Sequence, residues 1–331
     1  MEGQRKDSIA VLGGSGFVGS SLARHLSRNF DVTVIDRTSP KSFAGEFKQC
    51  DIRDQSSLTA ALRGSSLVIN CAIIQLPEIN EKRRLGYEVN VQGVQNICEA
   101  VESTDSIRGL LHVGSWHVFG ERGLRGTLGE DFGFHPDKVD ERARFYALCK
   151  IAQESIIGIT AEMSQKLYGI IRLGTVLGEE MPKQTAANLF IESALKGEPM
   201  TPFRHTQHRP MLYIDIDDVC NAFESFTAAV LRRKPTQSPL TVVNLAYPRP
   251  VTILELARIV RKKLIRLTHQ RIVPKINVID KHLKPLYGPK DARAFRLDVS
   301  SAQRFLGLKK LASPEQTIER IIQGRINPNR S

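Results

Sequence analysis

The sequence predicts an α/β fold built on a doubly wound parallel sheet with helices against both faces. Three observations carry this. Short apolar runs alternate with helical stretches through the first half of the 331-residue chain, as in a sheet whose strands are joined by helical crossovers. The first run ends in a cluster of glycines that opens onto an amphipathic stretch, so strand, tight turn and helix follow one another directly. Gly13, Asp36, Asp51 and Ser115 fall at or just past strand ends, the edge at which open α/β sheets hold their ligands.

Taken in order, the first strand is expected near residues 8–13, in Ser8-Ile9-Ala10-Val11-Leu12-Gly13. Gly13 and Gly14 allow the turn, Gly16 lets backbone approach a pyrophosphate at the helix N-terminus, and Gly19 lets helix and strand pack closely. Leu22, Ala23 and Leu26 give the first helix its apolar face. The second strand, near 31–36, ends in Asp36. An acid there hydrogen-bonds the adenosine ribose hydroxyls and repels a 2′-phosphate, which favours NAD; the adjacent Arg37 leaves NADP open. Further strands are expected near 46–51, 67–72, 109–115 and 168–174, with long helices near 84–103 and 142–164.

The second of those helices carries Tyr146-Ala-Leu-Cys-Lys150. Residues four apart share a helix face, so the ammonium is expected beside the phenol oxygen, lowering its pKa toward neutrality. A phenolate that takes and returns a proton serves alcohol–ketone redox chemistry. Tyr-x-x-x-Lys is a weak signal alone; the glycine turn and Ser115 give it meaning.

With these parts in hand, the chain resembles the extended short-chain dehydrogenase/reductases, specifically the NAD-dependent epimerase/dehydratase group typified by UDP-galactose 4-epimerase. The resemblance runs from about Ile9 to Ile322. Asp51-Ile52 looks like the family's adenine-contacting pair and Asn90-Val91-x-Gly93 like its asparagine motif. Gly114-Ser115-Trp116-His117-Val118-Phe119-Gly120 is similar to its Ser-Ser-x-x-Val-Tyr-Gly strand end. Glu130-Asp131 through Pro136 resembles the acidic loop before the tyrosine, and Arg172 through Gly178 the next strand. Asp217-Asp218-Val219, Asn244-Leu245 and Ser300-x-Ala302-x-x-x-Leu306-Gly307 resemble the C-terminal landmarks.

The resemblance implies a Rossmann-type sheet over residues 1–178, with a segment returning at about 210–230, and a smaller α/β substrate lobe made mainly of 179–331. It implies Ser115, Tyr146 and Lys150 as catalytic residues. It assigns NAD to Gly13, Gly16, Phe17, Val18, Gly19, Asp36, Arg37, Asp51, Ile52 and Asn90, together with Tyr146 and Lys150. Trp116, Thr175, Arg209 and Lys290 are the implied substrate contacts. The helices near 84–103 and 142–164 resemble those that join two subunits, so a homodimer is expected.

Residues beside Ser115 narrow the reaction. Family members that dehydrate sugars carry Thr-Asp-Glu here and sugar-acid decarboxylases carry a glutamate, whereas this chain has Ser115-Trp116-His117. Epimerisation of a nucleotide-sugar by transient oxidation is therefore the first expectation, and simple NAD(P)-dependent oxidation or reduction of another alcohol or carbonyl the second. A silent dinucleotide sensor or nucleic-acid-associated protein is the third, although such proteins often lose the tyrosine or lysine. Two departures bear on the substrate. Thr175 stands where a substrate-holding asparagine is usual, and Gly288-Pro289-Lys290-Asp291 replaces Arg-Pro-Gly-Asp, giving a point charge in place of a bidentate fork.

Composition excludes other classes. Five scattered cysteines without Cys-x-x-Cys argue for free thiols in a reducing compartment and against a metal site. No signal-like N-terminus or uninterrupted apolar span is visible, so a cytoplasmic protein is expected. Charge is uneven: from Leu231 onward there are 22 Lys and Arg against 6 Asp and Glu, whereas residues 1–230 carry 25 against 29. The densest run, Arg261-Lys262-Lys263-Leu264-Ile265-Arg266, reads best as a solvated helix face, and nucleic acid is disfavoured.

Overall fold

The computed structural model describes residues 6–232, 240–308 and 310–327. Seven strands make one parallel sheet: β1 (Ser8–Leu12), β2 (Asp31–Asp36), β3 (Glu46–Gln49), β4 (Leu67–Asn70), β5 (Gly109–Ser115), β6 (Leu167–Leu173) and β7 (Leu240–Leu245). Their order across the sheet is β3-β2-β1-β4-β5-β6-β7. The chain winds outward from β1 to β3, then crosses back to β4 and winds the other way. The crevice at that reversal, beyond the carboxyl ends of β1 and β4, is the place such a sheet offers a ligand.

The strands are buried on both faces, as parallel sheets are. Alternation sends Ile9 and Val11 of β1 into one core and Ala10 and Leu12 into the other. Leu22, Ala23 and Leu26 of α1 (Phe17–Leu26) fill the first core together with Val219 and Phe223 of α6 (Ile216–Arg232). The second holds Leu58 and Leu62 of α2 (Gln55–Leu62), Val94 and Ile97 of α3 (Gly93–Glu102), and Ile157 of α4 (Glu141–Glu162).

The returning segment expected at about 210–230 is α6, which packs on α1. The sheet itself does not stop at residue 178. The seventh strand comes from Leu240–Leu245, pairing in parallel with β6 from Leu240↔Tyr168 to Leu245↔Leu173. The sheet therefore reaches well into the half assigned to the substrate lobe. Backbone hydrogen bonding along β6 outweighs sequence distance.

The remaining lobe is built on α5 (Ala186–Leu195), α7 (Ile253–Leu267) and α9 (Pro314–Ile326), with the short α8 (Ser300–Leu306) packing on β7. Capping boxes at Thr252 with Glu255 and at Ser313 with Gln316 start α7 and α9. The basic run lies on α7 and is partly spent on internal pairs. Lys263 and Arg266 both meet Glu319 of α9, and Arg261 Nε donates to the Pro274 carbonyl at 3.0 Å. Among the described residues no helix is long and apolar enough to cross a membrane.

Candidate active site

The glycine turn is shaped by close approach. Gly13 has φ +70°, and a Cβ there would lie 2.5 Å from Ala72 N; a Cβ on Gly19 would collide with the Gly13 carbonyl. Both positions exclude side chains. Gly16 caps α1 with no side-chain hydrogen bond and no acidic residue in the first turn. The first-turn N–H groups, borne on Phe17, Val18 and Gly19, are thus left for an anion. Asp36 ends β2, its carboxylate accepting from Ser15 N at 3.0 Å and Thr38 N at 3.2 Å. A carboxylate has further lone pairs for ribose hydroxyls, so the turn, the helix end and the acid together fit a dinucleotide. Asp51 follows β3, gripped by the guanidinium of Arg53, whose hydrogen bonds hold its carboxyl below the usual range. Arg37 is exposed, 3.8 Å from Asp51, and Ile52 is buried against Gly93.

Ser115 ends β5 and caps the turn Trp116–Phe119, its Oγ accepting from His117 N at 3.3 Å. Tyr146 and Lys150 project from α4, whose N-cap is Asp140. The Ser115 side chain bears on the Tyr146 phenol, and Lys150 Nζ lies 6.0 Å from the Tyr146 ring centre. Hydroxyl, phenol and amine thus converge from two elements at the carboxyl edge of the sheet.

The electrostatics differ from the expectation. Burial pushes the Tyr146 phenol up to about 12; the Ser115 side chain opposes this, and Lys150 does not. The physical reason is direction. Lys150 Nζ donates to the Val113 carbonyl at 2.6 Å, and desolvation in that site lowers its own pKa to about 8. At neutral pH the lysine is charged and the phenol protonated.

A sign follows. Between pH 8 and a lysine's ordinary 10.5, the unfolded chain binds the proton that folded Lys150 has lost, so stability rises with pH across that window. Wild type should gain up to roughly 3 kcal/mol there, and Lys150→Met should lack that gain. Denaturant titrations across the window compare the two slopes; equal slopes would contradict the burial of a charged amine.

A family model, the NAD dependent epimerase/dehydratase family, matches residues 9–242, well over half of the chain. The chain belongs to that family. It is an enzyme of the extended short-chain dehydrogenase/reductase type, and the family's cofactor is NAD. It is 29% identical over 231 residues to the dTDP-6-deoxy-L-talose 4-dehydrogenase (NAD(P)(+)) of Kitasatospora kifunensis, covering 65% of this chain and 68% of that protein. It is also 29% identical to the N-acetyl-alpha-D-glucosaminyl-diphospho-ditrans,octacis-undecaprenol 4-epimerase of Escherichia coli O157:H7, the match spanning 34% of each chain. The fold matches UDP-glucuronic acid 4-epimerase from Bacillus cereus, solved with UDP-glucuronic acid and NAD, with TM-score 0.74 at 21% identity over 96% of this chain and 98% of that one.

Asn90 is buried, and its side-chain amide is taken up by the backbone of Ile74, accepting from Ile74 N at 2.7 Å and donating to Ile74 O at 2.9 Å. It pins the loop after β4. Trp116 is 0% exposed and part of the main core, so it presents no face to a substrate; the apolar demand of the core decides its place. Arg209 is buried too, its guanidinium paired with Glu121. Its Nε is without a hydrogen-bond partner among the described residues. Thr175 is half-buried, paired with Tyr213 in a short parallel bridge, and Lys290 is exposed on its turn.

Several residues of the site escaped the sequence reading. Gln153 Nε2 donates to Asn90 O at 2.7 Å, and its Oε1 lies 3.1 Å from His112 Nε2. His112 Nδ1 lies 3.1 Å from Asn70 Nδ2. Burial keeps His112 neutral, so Nε2 carries its hydrogen and Nδ1 accepts. Glu154 is buried against Arg172, with Nε to Oε2 2.9 Å, and Arg172 Nη1 donates to Glu130 O at 2.9 Å. Gln153 and Glu154 follow Lys150 by three and four positions on α4; two polar groups on the lysine's own face were the available signal.

Proposed function

We propose that the chain is a nucleotide-sugar 4-epimerase, acting by reversible oxidation of a sugar hydroxyl. The observation that carries this reading is the meeting of the Ser115 hydroxyl, the Tyr146 phenol and the buried Lys150 amine beside the crevice of an NAD-type glycine turn. Bound NAD supplies the hydride acceptor and donor. Phe17, Val18 and Gly19 would offer backbone N–H groups to its pyrophosphate and Asp36 would hold the adenosine ribose. Ser115 would bond the reacting sugar oxygen, and Tyr146 would exchange the proton with it. Lys150, charged below pH about 8, would hold the nicotinamide ribose. Neither Trp116 nor His117 supplies the carboxylate that elimination or decarboxylation needs. The nucleotide-sugar ligand of the Bacillus cereus relative supports the substrate class.

Freshly purified protein should carry tightly held NAD and interconvert one member of a panel of UDP-, GDP- and dTDP-sugars, followed by proton NMR. An empty site with no epimer from any panel member would contradict the proposal. The similarity to a sugar 4-dehydrogenase favours one second reading, a dehydrogenase that releases reduced NAD; accumulation of the reduced cofactor separates the two. Asp36→Ser should weaken NAD binding by roughly tenfold, about 1.4 kcal/mol, and improve NADP binding. Unchanged NAD affinity in a fluorescence titration would remove Asp36 from the ribose site.

We also infer a cytoplasmic homodimer. The five free cysteines suit a reducing compartment. On α4 and just beyond it, Ile159 is 62% and Met163 84% exposed, alongside exposed Leu148 and Tyr87. A second copy would cover this apolar face. Ile159→Glu should give a monomer by light scattering, and an unshifted mass would rule out this face.

A further inference from the structure

Asn70, His112, Gln153 and Asn90 form an unbroken hydrogen-bonded chain at the base of the crevice, and serine–tyrosine–lysine chemistry does not use it. Asn70 ends β4, His112 lies within β5 and Gln153 on α4. All four residues are at most 1% exposed. At one end Asn70 Oδ1 accepts from Ala72 N at 3.0 Å. At the other, Gln153 Nε2 donates to Asn90 O at 2.7 Å, and the Asn90 amide holds Ile74 N and O. His112 joins the two halves, its Nδ1 3.1 Å from Asn70 Nδ2 and its Nε2 3.1 Å from Gln153 Oε1.

The backbone at each end fixes every direction in this chain. The Ala72 N–H can only donate, so Asn70 turns its oxygen to it and its amide N–H to His112. The Asn90 carbonyl can only accept, so Gln153 turns its amide N–H to it and its oxygen to His112. An imidazole between a donor and an acceptor is the neutral ring with its hydrogen on Nε2. Burial, with the nearby Lys150 charge, opposes its protonation. An imidazolium would set N–H against N–H at Asn70, and turning that amide over would release Ala72.

We propose that His112 is a positioning residue for NAD: its Nε2–H tautomer holds residues 71–74 against the glycine turn and ties that loop to the helix bearing Tyr146 and Lys150. The loop leaves β4 at the crevice and packs so closely on the turn that a Cβ on Gly13 would lie 2.5 Å from Ala72 N. That N–H is the one Asn70 holds, so the approach of loop to turn is set through His112. Two successive residues of β5 also hold α4. His112 takes Gln153, and the Val113 carbonyl takes Lys150 Nζ at 2.6 Å. Gln153 lies three positions after Lys150, on the same helix face. Loosening His112 therefore frees the loop and the seat of the amine together. Burial alone asks for an apolar side chain at 112, as at Leu110 and Leu111. The inference rests on NAD binding and not on which sugar is turned over.

Two measurements test this. In protein labelled with ¹⁵N-histidine, the His112 signal, assigned by its loss in His112→Gln, should report hydrogen on Nε2 and a bare Nδ1 at pH 6.5, where an ordinary imidazole is half charged. Hydrogen on Nδ1, alone or with Nε2, would overturn the proposal whether or not any sugar is turned over. His112→Phe keeps a ring in place and removes both hydrogen bonds. At a temperature where it is folded, it should bind NAD roughly tenfold more weakly in a fluorescence titration, the scale of one or two lost hydrogen bonds. His112→Gln, whose amide presents an oxygen to Asn70 and an N–H to Gln153, should bind NAD within about threefold of wild type. A role confined to stability would lower the melting temperature of His112→Phe and leave its NAD affinity unchanged, and that result would overturn the proposal. Should His112→Phe not fold, the tautomer of the wild-type ring decides.

Discussion

Tyr146→Phe is expected to cut turnover by at least ~10³-fold while leaving NAD affinity within about twofold, because the substitution removes a proton-transfer group and little else. The ring is half-buried between Ser115, His117 and Lys150, and phenylalanine keeps that packing. What disappears is the phenol oxygen that would exchange the proton with the substrate. Ser115 would retain its contacts to His117 N and Nδ1, so the turn at Trp116–Phe119 should persist. Substrate turnover and fluorescence titration with NAD measure the two halves. A variant that retains a tenth or more of wild-type turnover would place the proton transfer elsewhere.

Glu121→Leu is expected to cost about 3–5 kcal/mol of stability, the usual result of removing one partner of a buried ion pair. The side chain of Arg209 is 4% exposed, and without Glu121 its charge would be buried with no counter-ion. Tyr287 and His117 would lose their acceptor as well. The double variant Glu121→Leu/Arg209→Met should recover a large share of the loss, since it removes the stranded charge along with its partner. Denaturant unfolding of wild type, single and double variants measures this; a single variant as stable as wild type would show that the pair is not buried in solution.

Much of the fold and the meeting of Ser115, Tyr146 and Lys150 was legible because the relevant signals are local. Ile9 to Leu12 is an unbroken apolar run and Val32 to Ile35 is interrupted only by Thr33, and the strands they form are buried on both faces. The glycine spacing encodes a turn in which two Cβ atoms have no room. Tyr146 and Lys150 share a helix face, so their neighbourhood followed from helical geometry.

What was not legible depends on contacts distant in sequence. Nothing in Leu240–Leu245 announces that β6 is its partner across the intervening lobe segments. Glu121 and Tyr287 are 166 positions apart, and neither residue type signals the other. The phenol pKa failed for a subtler reason. Helical spacing fixes which face Lys150 occupies but not where its amine turns, and the Val113 carbonyl determines that. Trp116 beside Ser115 was ambiguous because an indole suits a sugar and a core alike; the surrounding apolar side chains resolve it in favour of the core.

The most direct measurement uses a nucleotide-sugar deuterated at the carbon that bears the reacting hydroxyl, incubated with protein carrying NAD. Epimer that retains deuterium at that carbon, with transient absorbance of reduced nicotinamide slowed by the isotope, is the predicted result. Epimer that has exchanged the label for solvent hydrogen, or epimer formed equally well by Tyr146→Phe, would contradict hydride transfer at this site.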